Sequence, residues 1–117
     1  MTSMDKIEDE KIAYIAGLID ASGRISTANV NGYRKAYGIQ IEIESNSSEA
    51  LEWLKTTLNA GTVSYYDNQS HHNCGVYTIS GKSADDLLNL IEPYVIIKKK
   101  LVGFILIVKR DGRLGIN

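Results

Sequence analysis

Apolar residues along the chain alternate between two spacings, and the switches mark its elements. Ile12, Ile15, Leu18 and Ile19 recur at the three- and four-residue intervals of a helix face. Acids at Glu8, Asp9 and Glu10 suit a first helical turn, so the spacing predicts a helix over residues 8–22, with Gly23 as its C-terminal stop. Residues 24–30 fit a strand, and Asn31-Gly32 signals a turn. From Tyr37 to Ser45 the period falls to two: Ile39, Ile41 and Ile43 face one way, Gln40, Glu42 and Glu44 the other.

Asn46 or Ser47 then caps a second helix, with Glu49 in its first turn, Leu51, Trp53, Leu54 and Leu58 for the core, and Gly61 closing it. Thr62–Tyr66 and Asn73–Ser80 read as two more strands, joined by the polar loop 67–72. A third helix is expected from Ser83, carrying Leu87, Leu88, Leu90 and Ile91, and ended by Pro93. A last helix is expected from about Val95 to Lys109, with Leu101, Phe104, Ile105 and Val108 on one side. The order is helix, two strands, helix, two strands, two helices. It predicts an α+β domain over residues 1–117: one antiparallel four-stranded sheet, helices on one face and water on the other. The two helix–strand–strand units echo each other in order but not in sequence.

Composition narrows the setting. With 44% hydrophobic and 23% charged residues, the 117-residue chain has enough apolar material for one core. One cysteine, Cys74, excludes an internal disulfide and suits a reducing, intracellular compartment. No signal-peptide pattern opens the sequence, and the apolar run from Leu101 to Val108 is too short to span a membrane, so no membrane partner is expected. The net charge of −1 argues against tight nucleic-acid binding by charge alone. Basic residues nevertheless gather at Arg24, Arg34–Lys35, Lys98–Lys100 and Lys109–Arg113, and acids at Glu8–Glu10 and Glu42–Glu44. Such clusters read equally as solvated faces.

The first helix carries the strongest chemical signal. Small residues recur once per turn at Ala13, Gly17 and Ala21, with Ala16 alongside. A helical glycine is less favourable than alanine by about 1 kcal/mol, so close approach of another helix is the natural reason for Gly17. That neighbour is either a second copy or this chain's own sheet or third helix. Asp20 lies in the last turn, where the helix dipole disfavours a carboxylate by roughly 0.3–1 kcal/mol. An electropositive partner is therefore expected: a metal ion, a basic side chain or hydrogen-bond donors. On the wet face of the sheet, alternation places Arg24 and Ser26, Gln40 and Glu42, Ser64 and Tyr66, and Val76 and Thr78. These suit base-edge contacts in a DNA major groove, and they equally suit the ordinary polar side of a sheet. His71, His72 and Cys74 have no second group of ligands for zinc and read as a polar hairpin tip.

The stretch Ile15-Ala16-Gly17-Leu18-Ile19-Asp20-Ala21-Ser22-Gly23 resembles the signature of the LAGLIDADG homing endonucleases. The order of elements is compatible with that family's αββαββα core over the whole chain. The resemblance implies a homodimer paired through the motif helices, with Ala13, Ala16, Gly17 and Ala21 at the interface. It implies a long, near-palindromic double-stranded DNA target, cut in both strands with Mg²⁺ to leave 3′ overhangs, in the service of intron or intein mobility. Asp20 and Ser22 would stand at the metal end of the motif, Ser22 at the ligand position and Asp20 two residues back, mainly supporting the helix end; Ser45 or Asn46 would organise solvent, and Lys98 would lie near the scissile phosphate with Lys100 second. Arg24, Ser26, Gln40, Glu42, Ser64, Tyr66 and Thr78 would read bases, and Arg34, Lys35 and Lys100 would touch backbone.

One position departs from the family. Ser22 stands where relatives carry the acid that binds the catalytic metal, so reduced or absent cleavage is expected. The alternative is a noncatalytic nucleic-acid-binding protein on the same fold, either a maturase whose partner is RNA or a DNA-binding regulator.

Overall fold

The computed structural model describes residues 6–29, 37–66 and 74–110. Helix α1 (Asp9–Ser22) runs directly into strand β1 (Gly23–Asn29); β2 (Tyr37–Ser45) leads to α2 (Ser48–Leu58), β3 (Thr62–Tyr66), β4 (Cys74–Ser80), α3 (Gly81–Ile91) and α4 (Lys99–Arg110). The strands form one sheet in the order β1-β2-β4-β3, every pair antiparallel. The αββαββα core expected from the order of elements is therefore present, with α4 added after it.

Period-two alternation explains which face is buried. Ile39, Ile41 and Ile43 of β2 and Tyr77 and Ile79 of β4 are all but inaccessible. They pack with Ile12, Ile15 and Ile19 of α1, Leu51, Leu54 and Leu58 of α2, and Ala84, Leu87, Leu88 and Ile91 of α3. Each such aliphatic side chain is worth about 1.5–3 kcal/mol when buried. A one-residue slip of β2 would exchange three isoleucines for Gln40, Glu42 and Glu44, so the register is strongly fixed.

Local chemistry sets the ends of α2. Ser47 Oγ accepts from the Ala50 amide at 3.1 Å as an N-cap. Asn59, left-handed at φ 53°, donates its amide to the Lys55 carbonyl at 2.8 Å. Gly61 follows at φ 90°, and a Cβ there would lie 2.6 Å from the Tyr77 ring. That tight fit holds the Tyr77 hydroxyl against the Ala60 carbonyl at 2.7 Å, and burial pushes the phenol pKa far up.

Several boundaries differ from the sequence expectation, those at the starts of α1 and β1 by one residue. α3 starts at Gly81, two residues before Ser83. α4 starts at Lys99, with residues 96–98 in a turn, where a helix from Val95 was expected. Gly23 is extended (φ −90°, ψ 163°) and so supplies no left-handed stop. Glycine is needed there because a Cβ would sit 2.8 Å from the Ile19 Cα and 2.9 Å from its carbonyl oxygen. Among the described residues, no helix is long and apolar enough to cross a membrane.

Candidate nucleic-acid interface

The face of the sheet away from the helices collects the polar positions into cross-strand rows. Arg24 pairs with Glu42, Glu42 with Thr78, and Thr78 with Thr62. Ser26, Gln40 and Ser80 form a second row, Glu44, Val76 and Ser64 a third, and Tyr66 stands opposite Cys74. Every expected base-reading residue on the strands is thus brought onto one surface. Thr62, Ser80 and Glu44 belong to it as well. Carrying the same alternation to the strand ends includes Thr62 and Ser80, and Glu44 shares the Gln40 and Glu42 side of β2. Arg34 and Lys35 lie outside the described residues.

The charges on this face are already engaged. Arg24 Nη2 lies 3.0 Å from Glu42 Oε1, and the Tyr66 hydroxyl donates to Glu44 Oε2. That hydrogen bond, with desolvation and the nearby carboxylate charge adding to it, holds the Tyr66 phenol pKa above its ordinary value. At the end of β2, Ser45 Oγ accepts from the Ser47 amide at 3.0 Å, so its hydroxyl shapes the turn into α2.

The end of α1 meets the start of α4. Asp20, 8% exposed, is the buried charged residue there. Its Oδ2 accepts from the amides of Ile96 (2.6 Å) and Ile97 (2.9 Å), and its Oδ1 from the amide of Lys98 (2.8 Å). Lys98 Nζ returns to the Asp20 main-chain oxygen at 2.9 Å. Burial by itself would raise the Asp20 pKa. The three amides and the Lys98 charge outweigh it and leave the pKa below the ordinary carboxylate value. The electropositive partner that the helix dipole required is thus a set of hydrogen-bond donors. Ser22 is exposed in the last turn of the same helix, and Lys100 is exposed in the first turn of α4.

A family model described as LAGLIDADG endonuclease matches residues 15–110, most of the chain. The chain belongs to the LAGLIDADG endonuclease family. The homing endonuclease I-CvuI, solved with its target in the presence of 2 mM Ca, superposes at a TM-score of 0.70 and 19% identity, over 87% of this chain and 67% of its own. The archaeal intron-encoded I-Vdi141I, solved with DNA, gives 0.63 at 23% identity over 89% and 67%. The group I intron-encoded I-CeuI, also solved with DNA, gives 0.60 at 15% over 90% and 57%. At these identities the likeness is one of fold. No curated protein sequence matches the chain.

The LAGLIDADG family implies a divalent metal at the motif end, and I-CvuI has been solved in the presence of Ca and of Mg. The residues present here do not fit one. Mg²⁺ takes oxygen ligands in near-octahedral geometry and is usually held by one or two carboxylates. The motif helix offers one carboxylate, buried and holding three amides, and one neutral hydroxyl. Among the described residues, no group of three His, Cys, Asp or Glu side chains is placed to hold a metal. Asp20 is a helix-capping acid in this chain, not a free ligand.

The small-residue stripe divides. Ala16 is wholly buried in its own core and is removed from any intermolecular surface. Ala13 is half-buried, while Gly17 and Ala21 are exposed. A Cβ on Gly17 would meet no atom within 4 Å.

Proposed function

We propose that this LAGLIDADG chain is a homodimeric DNA-binding protein that engages a long, near-palindromic duplex site through the outer face of its sheet and hydrolyses it weakly or not at all. The observation that carries the reading is the combination of Ser22 with the Asp20 carboxylate held by the amides of residues 96–98. Without a free carboxylate at the motif end, water activation and leaving-group stabilisation by a metal have no anchor. Family membership and the DNA complexes of the fold's solved neighbours support the choice of partner. The rows built on Arg24, Gln40, Glu42, Ser64 and Thr78 offer donors and acceptors of the kind that read base edges.

Pairing through α1 is supported by the open space at Gly17. A two-fold pair would present two equivalent sheets to the two halves of a site. Lys98 and Lys100 would then serve as phosphate contacts. The missing acid also favours a second reading, in which the same surface binds structured intron RNA.

Selection from a randomised duplex library, with Mg²⁺ and competing structured RNA, tests this reading. Retention of a subset of duplexes with intact strands supports it. Retention of RNA alone favours the second reading. Efficient double-strand cutting contradicts the loss of activity.

A further inference from the structure

The helices on either side of the first hairpin enclose an open cleft of about 380 Å³, lined by Tyr14 of α1 and by Ser47, Glu49, Ala50 and Trp53 at the start of α2. That is the small end of the range for ligand pockets, about 300–1,000 Å³, and suits a ligand the size of one side chain. Its walls are aromatic. The Tyr14 and Trp53 rings stand at 85° with centroids 5.4 Å apart, so they form a corner of two ring faces, each carrying negative potential. Trp53 packs against the core, whereas Tyr14 lies outside it with 57% of its surface exposed. Packing within the chain therefore accounts for the tryptophan and for little of the tyrosine.

The charge at this corner is negative too. Glu49 lines the cleft, and among the described residues no hydrogen bond or ion pair engages its carboxylate. Glu52, one turn on, is held instead by the Tyr65 hydroxyl at 2.8 Å. No base lines the cleft. Lys11 is paired with Glu8 at 3.2 Å, and Lys55, the one base of α2, lines a separate cleft with Thr56 and Asn59. The α2 dipole by itself favours an anion at this end, and Glu49 in the first turn supplies it. An incoming group thus meets two ring faces and a carboxylate without a partner, a set that attracts a cation and repels an anion. We propose that this cleft binds an alkylammonium group, the head of a lysine side chain or of a free quaternary amine, against the Tyr14 and Trp53 rings with Glu49 as its counter-charge. The site uses none of the residues assigned to DNA or to pairing, so its failure leaves that reading untouched.

Trp53 is the one tryptophan of the chain, so intrinsic fluorescence of the full protein reports on the cleft directly. Choline, acetyl-lysine methylamide acylated at its α-nitrogen and the same compound trimethylated at Nζ are titrated at constant ionic strength, beside 3,3-dimethylbutan-1-ol, the neutral isostere of choline. The cations should change the emission saturably, with Kd values in roughly the millimolar range, and the isostere should bind about fivefold or more weakly. Tighter binding of the lysine compounds than of choline supports the site with a protein partner, and the reverse order supports it with a free amine. Glu49→Gln should weaken choline about three- to tenfold, and Tyr14→Leu by a similar factor. Glu52→Gln, on the same helix but outside the cleft, should leave the Kd unchanged. Circular-dichroism melts verify that each variant folds. Equal affinity for the neutral isostere overturns the proposal, as does the lack of a saturable change up to about 0.1 M choline. It is overturned as well if Glu49→Gln and Tyr14→Leu both keep the wild-type Kd, or if Glu52→Gln weakens binding as much as Glu49→Gln.

Discussion

Asp20 and Lys98 hold each other across 78 residues of sequence: the Lys98 amide donates to Asp20 Oδ1 at 2.8 Å, and the Lys98 ammonium donates to the Asp20 main-chain oxygen at 2.9 Å. The negative end of α1 is thereby joined to the positive end of α4, with a carboxylate between them. In a family defined by the acids at this helix end, the acid that remains is engaged in holding the chain together.

Asp20→Ala should cost roughly 2–3 kcal/mol, because it removes the acceptor from three amides at once at a largely buried site. Asp20→Asn, which keeps one acceptor oxygen, should cost less. Urea denaturation checks both, with an unchanged m-value expected if only the junction is affected.

The same contact predicts a dependence on pH. The carboxylate pKa is lower in the folded protein than the ordinary 3.8, so the unfolded chain takes up a proton first as pH falls. The contribution is therefore fully present above 3.8 and is lost as pH drops below that value through the folded pKa. Stability measured against pH should show this acid-side loss in wild type, and Asp20→Asn should lack that component.

Two glycines should respond in opposite senses. Gly61→Ala combines a positive φ with a contact into the Tyr77 ring, and about 2–4 kcal/mol of stability should be lost. Gly17→Ala sits in an exposed helical position with open space, and the monomer should gain about 0.5–1 kcal/mol. Chemical denaturation at dilutions that keep the chain monomeric separates the two.

Much of this fold was legible from spacing alone. The bounds of β2 and β3 follow from alternation and glycine punctuation, and the sheet rows follow once the strands are paired. What spacing could not show depended on distant partners. The helix expected from Val95 starts at Lys99 because Asp20 draws the amides of residues 96–98 into a turn, and nothing near Val95 announces that. Ala16 looked like a member of the stripe because a small residue suits either side of a helix. Its position between Ile15 and Ile19 in the folded core decides the side. The need of Asp20 for a positive partner was legible from the helix dipole, and its support of the helix end from the family resemblance, but that the amides of residues 96–98 would be the partner was not.

The sheet face should bind DNA more tightly once its acids are neutralised. Glu44→Gln should strengthen binding by about 3–10-fold, on the order of 1 kcal/mol, and Glu42→Gln, which also gives up a base-reading acceptor, should strengthen it less. Arg24→Ala should weaken it and lower the slope of log K against log salt. Fluorescence anisotropy over a salt series on a selected duplex measures all three.

Cleavage of a randomised duplex library by wild type and by Ser22→Asp, in parallel and with Mg²⁺ and Mn²⁺, is the most direct test of whether the motif end has lost its metal chemistry. Wild type should bind and leave both strands intact, and Ser22→Asp should gain metal-dependent nicking or cutting on the same scaffold. Wild-type cutting as efficient as that of Ser22→Asp would show that another carboxylate holds the metal and would contradict the loss of metal chemistry at the motif end.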